Sequence, residues 1–280
     1  MKIKVLTDSS ADFTVDEYKE YGVEFIPLIV AFGEQEYYDN QTINANQFYE
    51  MLESNKTSPK SAQVTPYRWE EKFKELTEDG STLLVITLSS KLSNTYQSAC
   101  QAAAFVDNVY VVDSLSATIG QKLLVKLALN LVAANTPINE IVDILNKKKN
   151  DIRIYALVDT LEYLKRGGRI SSVQAIAGNI INLKPIISVI DGEVKMVSKA
   201  IGNRRGNKAI LDLVEKTNGI DYNLPWGCVY AGTMENLDKF ISDCPTVFGG
   251  HEVSEICQIG PTIGTHVGPG AFGISFFERD

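Results

Sequence analysis

The feature that most constrains the fold is an alternation of short apolar runs with stretches of helical periodicity in the first half of the chain. Residues 82–88 form an almost uninterrupted apolar run, and the helical pattern of residues 93–105 follows it. Residues 109–112 and the long apolar helix that begins at residue 115 repeat this arrangement. Strands without polar alternation are buried on both faces, and strands that alternate with helices form parallel sheets. The pattern predicts an open, mostly parallel α/β layer structure, flanked by helices.

The second half of the chain has a different pattern, which predicts an α+β domain with a mixed sheet. Two apolar runs, residues 186–190 and 193–198, flank Asp191-Gly192. Asp-Gly between such runs is a strong hairpin signal. A helix is predicted over residues 171–181.

The length of 280 residues fits two domains of ordinary size. We place the boundary after residue 158, so that residues 1–158 form an N-terminal α/β domain and residues 159–280 a C-terminal α+β domain. A cleft between two domains is a common position for a small-molecule site.

Composition excludes several classes of function. The 27 basic and 35 acidic residues give a net charge of −8, which argues against a nucleic-acid partner. Four cysteines without a Cys-x-x-Cys pair, together with only two histidines, argue against a metal or redox site. Neither G-x-G-x-x-G nor G-x-x-x-x-G-K-[ST] occurs, so we expect no metal and no cofactor. The first residues read as a strand rather than a signal peptide, and the apolar helix over residues 119–134 is too short to span a bilayer. These features predict a cytoplasmic protein.

The loop over residues 89–95 is the first candidate binding segment. It follows a predicted parallel strand, contains several hydroxyl side chains, and precedes a helix whose first N–H groups could bind an anion. We expect this loop to bind a carboxylate or a single phosphate. Asp113-Ser114, which follows the next strand, is interpreted as a cap of the following helix.

Three further segments offer polar side chains. Thr65-Pro66 has the composition of a helix cap, which leaves the nearby Ser61 free for a ligand. Residues 259–270 contain four glycines and two prolines around His266, and we predict a fixed loop that leaves space around this histidine. Arg169 follows Gly167-Gly168 on a turn that could hold an oxyanion or an acidic group of a partner.

The ordered set of these segments resembles the DegV family of bacterial fatty-acid-binding proteins, which includes the FakB carriers. The resemblance covers essentially the whole chain. The matching pieces are V-L-T-D-S-S at residues 5–10, S-A-Q-V-T-P at 61–66, L-S-S-K-L-S-N-T-Y-Q-S-A at 88–99, Asp113-Ser114, residues 164–171 and the glycine-rich stretch around His266.

The resemblance implies a non-enzymatic carrier that buries one long-chain fatty acid, of the palmitate or oleate class, between two domains. It implies that the carboxylate is held by Ser61 and Ser93, with His266 close by, and that Arg169 lies near that end of the pocket. Carriers of this type present the acid to a separate fatty acid kinase, which makes an acyl phosphate for phospholipid synthesis, and transient membrane contact is compatible with this role. Two hydroxyl groups, a protonated His266 and backbone N–H groups could together hold a carboxylate.

The sequence departs from the family pattern at three places. The usual Thr-Ser of the first binding segment is Ser61-Ala62, and the usual glycine after the binding serine is Asn94. Ile201 occupies a position that is often arginine, and a gapped alignment assigns that role to Arg204. This last departure concerns the kinase contact more than lipid binding.

Two alternatives stay open at this point. One is an acyl hydrolase with Ser93 as nucleophile and His266 as base, although no G-x-S-x-G segment is present. The other is a lipid sensor that has no kinase partner. Apolar residues of the second half are candidates for contact with the acyl tail: Ile176, Ile180, Ile181 and Ile187.

Overall fold

The computed structural model describes residues 2–55, 57–170 and 182–280. The strands are β1 (Ile3–Asp8), β2 (Val23–Ile26), β3 (Ile29–Phe32), β4 (Gln35–Tyr38), β5 (Lys60–Ala62), β6 (Thr82–Thr87), β7 (Val109–Asp113), β8 (Ile152–Leu157), β9 (Leu183–Ile190), β10 (Glu193–Ile201), β11 (Gly227–Tyr230), β12 (Ile256–Gln258) and β13 (Phe272–Phe277). The helices are α1 (Val15–Tyr21), α2 (Ala45–Ser54), α3 (Pro66–Thr77), α4 (Thr95–Ala103), α5 (Thr118–Ala133), α6 (Ile138–Lys148), α7 (Glu162–Arg166), α8 (Asn203–Glu215), α9 (Glu235–Asp243) and α10 (Pro261–Val267).

The N-terminal half contains the predicted parallel sheet. Its four strands run in the order β2-β1-β6-β7, and every pair is parallel. All six residues of β6 are buried, as expected for a strand covered on both faces. Helices α3 and α4 contact each other, as do α5 and α6, and these helices pack on the sheet.

The C-terminal half contains the predicted mixed sheet, in the order β10-β9-β8-β13-β11-β12. The β11–β12 pair is parallel and the other pairs are antiparallel. The fold-class prediction is therefore confirmed. The division into two domains stays a prediction, and its boundary after residue 158 leaves β8 on the N-terminal side although β8 pairs within the C-terminal sheet.

The predicted hairpin is also present, between β9 and β10. Asp191 and Gly192 have φ angles of 53° and 82°, the left-handed conformations that a two-residue hairpin turn requires. The tip of this hairpin contacts the N-terminal half, because Gly192 O accepts a hydrogen bond of 2.8 Å from Ser89 Oγ.

A third, small sheet with the order β4-β3-β5 is not predicted by the sequence pattern. The apolar run over residues 24–32 reads as one strand, but Pro27 divides it into β2 and β3, which belong to different sheets. Strands β4 and β5 have mostly exposed or half-buried side chains, so they carry little apolar periodicity.

The prediction of a loop over residues 259–270 is wrong, because residues 261–267 form helix α10. Pro261 is the first residue of this helix, a position where its fixed φ and missing N–H cost nothing. The helix predicted over residues 171–181 lies outside the described residues, together with Ile176, Ile180 and Ile181.

Helix α5 joins the two halves of the chain through a buried lysine. Lys122 is 1% exposed, and its ammonium lies 2.6 Å from Glu17 Oε1 and 3.0 Å from Glu255 Oε1. These ion pairs connect α5 to α1 and to the segment before β12. Across the described ranges, no helix is both long and apolar enough to cross a bilayer.

Candidate functional site

A cavity of about 560 Å³, which we call the large cavity, lies between the two halves of the chain. This volume is within the range of roughly 300–1,000 Å³ that is common for small-molecule sites. Its wall combines apolar and polar side chains in about equal numbers. The apolar residues that line it are Leu28, Ala62, Leu88, Leu92, Ala117, Leu164, Val194, Ile263 and Val267.

Ser61 and His266 meet at the wall of this cavity. Ser61 lies on β5, which pairs with β3, and His266 lies near the end of α10. Ser61 Oγ and His266 Nε2 are 2.8 Å apart, a hydrogen-bond distance, although 205 positions separate the residues in the chain. The structure thus brings together two of the predicted site residues.

Ser93 lines the same cavity from the loop between β6 and α4. Its Oγ accepts the N–H of Thr95 at 3.2 Å and lies 2.9 Å from Thr95 Oγ1. When Thr95 donates its hydroxyl proton to Ser93, the hydroxyl proton of Ser93 is available to a ligand. Thr95 is a residue of the site that the sequence argument did not assign.

Backbone hydrogen bonds fix the loop that carries Ser93. Its N–H groups already donate to acceptors within the protein at five positions: Ser90, Lys91, Leu92, Ser93 and Thr95. The prediction that free N–H groups at the start of α4 bind an anion is wrong for Thr95, and it stays a prediction for the next N–H groups of this helix. A ligand here meets the side chains of a fixed loop.

Two buried carboxyl groups accept hydrogen bonds from the backbone at the start of this loop. Asp8 Oδ2 accepts the N–H of Leu88 at 2.7 Å. Asp113 Oδ1 accepts the N–H groups of Ser90 at 3.1 Å and of Leu115 at 3.0 Å. The prediction that Asp113 caps the following helix is wrong, since the N-cap residue of α5 is Ala117 and no side chain bonds there.

His266 is neutral near pH 7 in the protein without ligand. Burial, reinforced by the charge of Arg169, lowers the pKa of His266 to about 4. The expectation of a protonated histidine is therefore wrong for this state. Gly167 approaches the ring so closely that a Cβ on this residue would lie 2.1 Å from His266 Nδ1. The glycine pair marked this turn in the sequence, but the sequence did not show which side chain needed the space.

The charged side chains at the cavity are basic. Arg169 and Lys91 line it, and no acidic residue does so within the part of the chain that the structure describes. Arg169 donates to Leu92 O at 3.2 Å and to Gly167 O at 2.5 Å, so its guanidinium is held across the Ser93 loop and the α7 turn. This arrangement favours an anionic ligand group.

A smaller cavity of about 250 Å³ adjoins the same polar residues. It shares Ser61, Arg169 and His266 with the large cavity, and Lys60 and Arg166 also line it. The two cavities therefore share a polar group, and the large cavity adds nine apolar residues whereas the small one adds two basic residues. An amphiphile with an anionic head fits this division of chemistry.

Two predicted residues lie away from the cavity wall. Arg204 is exposed at the start of α8, and neither Arg204 nor Ile187 belongs to the described lining of the large cavity. Ile187 instead packs in the hydrophobic core. Ile201, at the position that is often arginine in relatives, is 51% exposed at the end of β10.

The fold and the site define a class of α/β binding protein, with a cavity that offers apolar side chains beside basic and hydroxyl groups. The chain belongs to the DegV family: the family model described as "Uncharacterised protein, DegV family" matches residues 2–279. A DegV domain-containing protein of Caldanaerobacter subterraneus subsp. tengcongensis is 34% identical and covers 99% of both chains. One from Halalkalibacterium halodurans is 30% identical, covering 99% of this chain and 98% of its own.

Solved structures of the family have the same fold. A DegV family protein from Thermus thermophilus, described by its fatty acid binding, matches with a TM-score of 0.88 at 28% identity over 100% of both chains. DegV from Bacillus subtilis, described as a fatty acid binding protein, matches with a TM-score of 0.87, also at 28% identity over the whole of both chains. These descriptions agree with the predicted non-enzymatic class.

Proposed function

We propose that this protein binds one long-chain fatty acid, with its tail in the 560 Å³ cavity and its carboxylate at Ser61, Ser93 and His266. The observation that carries the proposal is the convergence of these three side chains with Arg169 on one cavity that also has nine apolar residues in its wall. The fatty acid binding ascribed to the Thermus and Bacillus relatives supports it.

The geometry accommodates a carboxylate without a charged histidine. His266 can donate its Nε2–H to Ser61 Oγ, across the 2.8 Å contact, which directs the hydroxyl proton of Ser61 towards the ligand. Ser93 donates a second hydroxyl proton. Hydrogen bonds to a charged acceptor are stronger than those between neutral groups, so the two hydroxyls suit a carboxylate.

Burial of the acyl tail supplies most of the affinity. Each buried methylene contributes roughly 0.8 kcal/mol, so a tail of about 16 carbons outweighs the cost of ordering the chain. This argument applies equally to palmitate and oleate.

We further propose that a fatty acid kinase acts on the bound carboxylate. In this step a carboxylate oxygen attacks the γ-phosphorus of ATP, the bond to the bridging oxygen breaks, and ADP leaves with the bond electrons. The smaller basic cavity next to Ser61 and His266 supports the proposal, because Lys60, Arg166 and Arg169 would face the added negative charge. Such a reaction needs cytoplasmic ATP, which is consistent with the predicted location and with phospholipid synthesis as the destination of the product.

The binding proposal is tested with oleate and protein that has been stripped of lipid. Ser93→Ala and Ser61→Ala each remove one donor to the carboxylate, and we expect each to weaken oleate binding about tenfold, equivalent to about 1.4 kcal/mol. Ser54→Ala is the control, because this exposed hydroxyl bonds only to the backbone of its own helix. Unchanged affinity in both site variants would contradict the assigned roles.

The kinase proposal is tested by adding a fatty acid kinase and ATP to the oleate complex and trapping acyl phosphate with hydroxylamine. We expect Arg169→Ala and Arg204→Ala to lower acyl-phosphate formation, while Arg205→Ala, an exposed neighbour, serves as control. A protein that binds oleate but yields no acyl phosphate with any such kinase would support a lipid sensor instead.

The hydrolase alternative is disfavoured by the geometry. His266 contacts Ser61 rather than Ser93, and its Nδ1 has no hydrogen-bond partner among the described residues that could orient the ring. A histidine with a pKa of about 4 is also a weak general base.

A further inference from the structure

Helix α10 has no cap from its own sequence. Its N-cap residue is Gly260, and no neighbouring side chain of the same segment bonds to its first N–H groups. The missing acceptor comes from Asp39, which follows β4 and is fully buried. Asp39 Oδ2 accepts the N–H of Thr262 at 3.2 Å and the hydroxyl of Thr262 at 2.5 Å. An acceptor for the second N–H group of a helix is the usual function of an N-cap side chain.

The same carboxylate oxygen is also linked to the segment between β2 and β3. Asp39 Oδ2 also accepts from Ser9 Oγ at 3.1 Å, and Ser9 Oγ in turn accepts the N–H of Leu28 at 3.0 Å. Leu28 and Thr262 both line the large cavity. One oxygen atom therefore fixes α10 relative to the segment between β2 and β3.

The position of α10 determines the position of His266. The helix places Thr262, Ile263, His266 and Val267 on the cavity wall. On another side it packs closely against α2, since a Cβ on Gly264 would lie 2.7 Å from a ring carbon of Phe48. A displacement at the first turn of so short a helix would change the 2.8 Å contact between His266 and Ser61.

We propose that Asp39 is a positioning residue of the carboxylate site, which holds α10, and through it His266, by the acceptor capacity of Oδ2 rather than by its negative charge. The proposal rests on the fatty acid function proposed above. Asp39 acts through Thr262 and does not belong to the described lining of the large cavity.

The other oxygen of Asp39 shows why charge is not required. Oδ1 accepts no hydrogen bond from the described residues. A Cβ placed on Gly260 would lie 3.6 Å from Asp39 Oδ1 and 2.7 Å from Asp12 Oδ1, so both carboxyl oxygens lie beside this glycine. Burial raises the pKa of Asp39 to about 6 and that of Asp12 well above its usual range. A proton on Asp39 Oδ1 would leave Oδ2 free to accept, and the amide of an asparagine would reproduce this arrangement.

The test compares Asp39→Asn with Asp39→Ala. The first reading is the ¹⁵N spectrum of the His266 imidazole in lipid-stripped protein, which is readily assigned because the chain has two histidines and His251→Gln removes the other. The second reading is the dissociation rate of oleate. We expect Asp39→Ala to shift the His266 resonances and to accelerate oleate dissociation about tenfold. We expect Asp39→Asn to leave the His266 resonances unshifted and the dissociation rate of oleate within about twofold of the wild-type rate.

Leu145→Ala is the control for a loss of stability alone. Leu145 is fully buried in α6, and the cavity left by its truncation lowers stability without contact to α10. We expect it to leave both readings unchanged. If Asp39→Ala does not fold, Thr262→Val removes one of the two donors on α10 and should shift the resonances in part.

Two results would overturn the proposal. The first is that the His266 resonances are unshifted in Asp39→Ala or, if that variant does not fold, in Thr262→Val. The second is that the His266 resonances are shifted in Asp39→Asn. The spectrum is recorded without ligand, so it tests Asp39 even if the wild-type protein fails to bind oleate. Failure to bind oleate would count against the proposed function instead.

Discussion

At the scale of single residues, the proposed carboxylate site contains a histidine that is neutral near pH 7. The resemblance to the DegV family points to Ser61, Ser93 and His266, and the structure places all three on one cavity. The charge of His266 could not be predicted from sequence, because burial lowers its pKa to about 4 and that burial comes from distant segments. The sequence also does not show the closeness of Gly167 to the imidazole, which depends on how α7 meets α10.

Gly167→Ala is predicted to impair the site through steric overlap alone. Gly167 has an ordinary helical φ of −74°, so an alanine is compatible with the backbone. Its Cβ would lie 2.1 Å from His266 Nδ1 and must displace the ring. We expect oleate binding to weaken about tenfold or more, measured by displacement of a fluorescent fatty acid.

Gly206→Ala is the matched control. Its Cβ would lie 2.1 Å from Leu157 Cδ1, the same degree of overlap, but Leu157 is a core residue outside the cavity lining. We expect a similar loss of stability without loss of oleate binding. Equal oleate binding by the Gly167 variant and the wild type would show that binding does not depend on the position of the His266 ring.

The pKa of His266 predicts how stability depends on pH. Its pKa falls from 6.5 in an unfolded chain to about 4 in the folded protein, so between these values the unfolded state binds more protons. The contribution of this group is therefore complete above pH 6.5 and is lost as the pH falls towards 4, by roughly 3 kcal/mol in total.

The measurement is urea unfolding of lipid-stripped wild-type protein and His266→Gln at several pH values from 7.5 to 4.5. The stability of the wild type relative to the variant should fall as the pH falls. The opposite contribution of Asp39, whose pKa is raised to about 6, is common to both proteins and cancels in the difference. Parallel stability profiles would show that His266 is not buried as described.

At the scale of secondary structure, the Ser93 loop is held by an element from the other half of the chain. The tip of the β9–β10 hairpin contacts it, with Gly192 O accepting from Ser89 Oγ at 2.8 Å. A Cβ on Gly192 would lie 2.6 Å from Ser89 Oγ and 3.1 Å from Leu115 Cδ2. The Asp-Gly turn thus shapes the hairpin and also permits this close contact.

Gly192→Ala is predicted to destabilise the protein more than Gly80→Ala does. The two glycines have similar φ angles, 82° and 78°, so an alanine is strained at both, at a cost of about 1–2 kcal/mol. Only Gly192 faces neighbouring atoms, since nothing lies within 4 Å of a Cβ on Gly80. We expect an additional loss of about 1–3 kcal/mol in urea unfolding for Gly192→Ala. Equal losses of stability in the two variants would indicate that the hairpin tip does not pack closely against the Ser93 loop.

The elements that sequence predicts well are those with strong local signals. Strand β6 is a buried apolar run, and α1 begins with a capping box in which Thr14 and Glu17 each bond to the other's backbone N–H. Strands β4 and β5 lack such a signal, because their side chains are mostly exposed or half-buried. Helix α10 was missed since glycine and proline normally indicate a loop, and its cap comes from Asp39, more than 200 residues away.

At the scale of the whole molecule, the cavity exists because the two halves of the chain meet. Ser61 and Ser93 come from the N-terminal half, whereas Leu164, Arg169 and Val194 come from the C-terminal half. The volume of about 560 Å³ depends on how these segments pack, so the sequence predicts a site between the halves but not its size. The fold class, by contrast, follows from the order of strands and helices along the chain.

The central claim is that this cavity carries one long-chain fatty acid, and the most direct test is to identify what the purified protein contains. The protein is expressed in a bacterial host, purified without detergent, denatured, and its released small molecules are quantified by mass spectrometry. The account predicts about one equivalent of long-chain fatty acid per chain, with a clear reduction in the Ser93→Ala protein. A ligand-free protein that also fails to take up added oleate or palmitate would contradict the account.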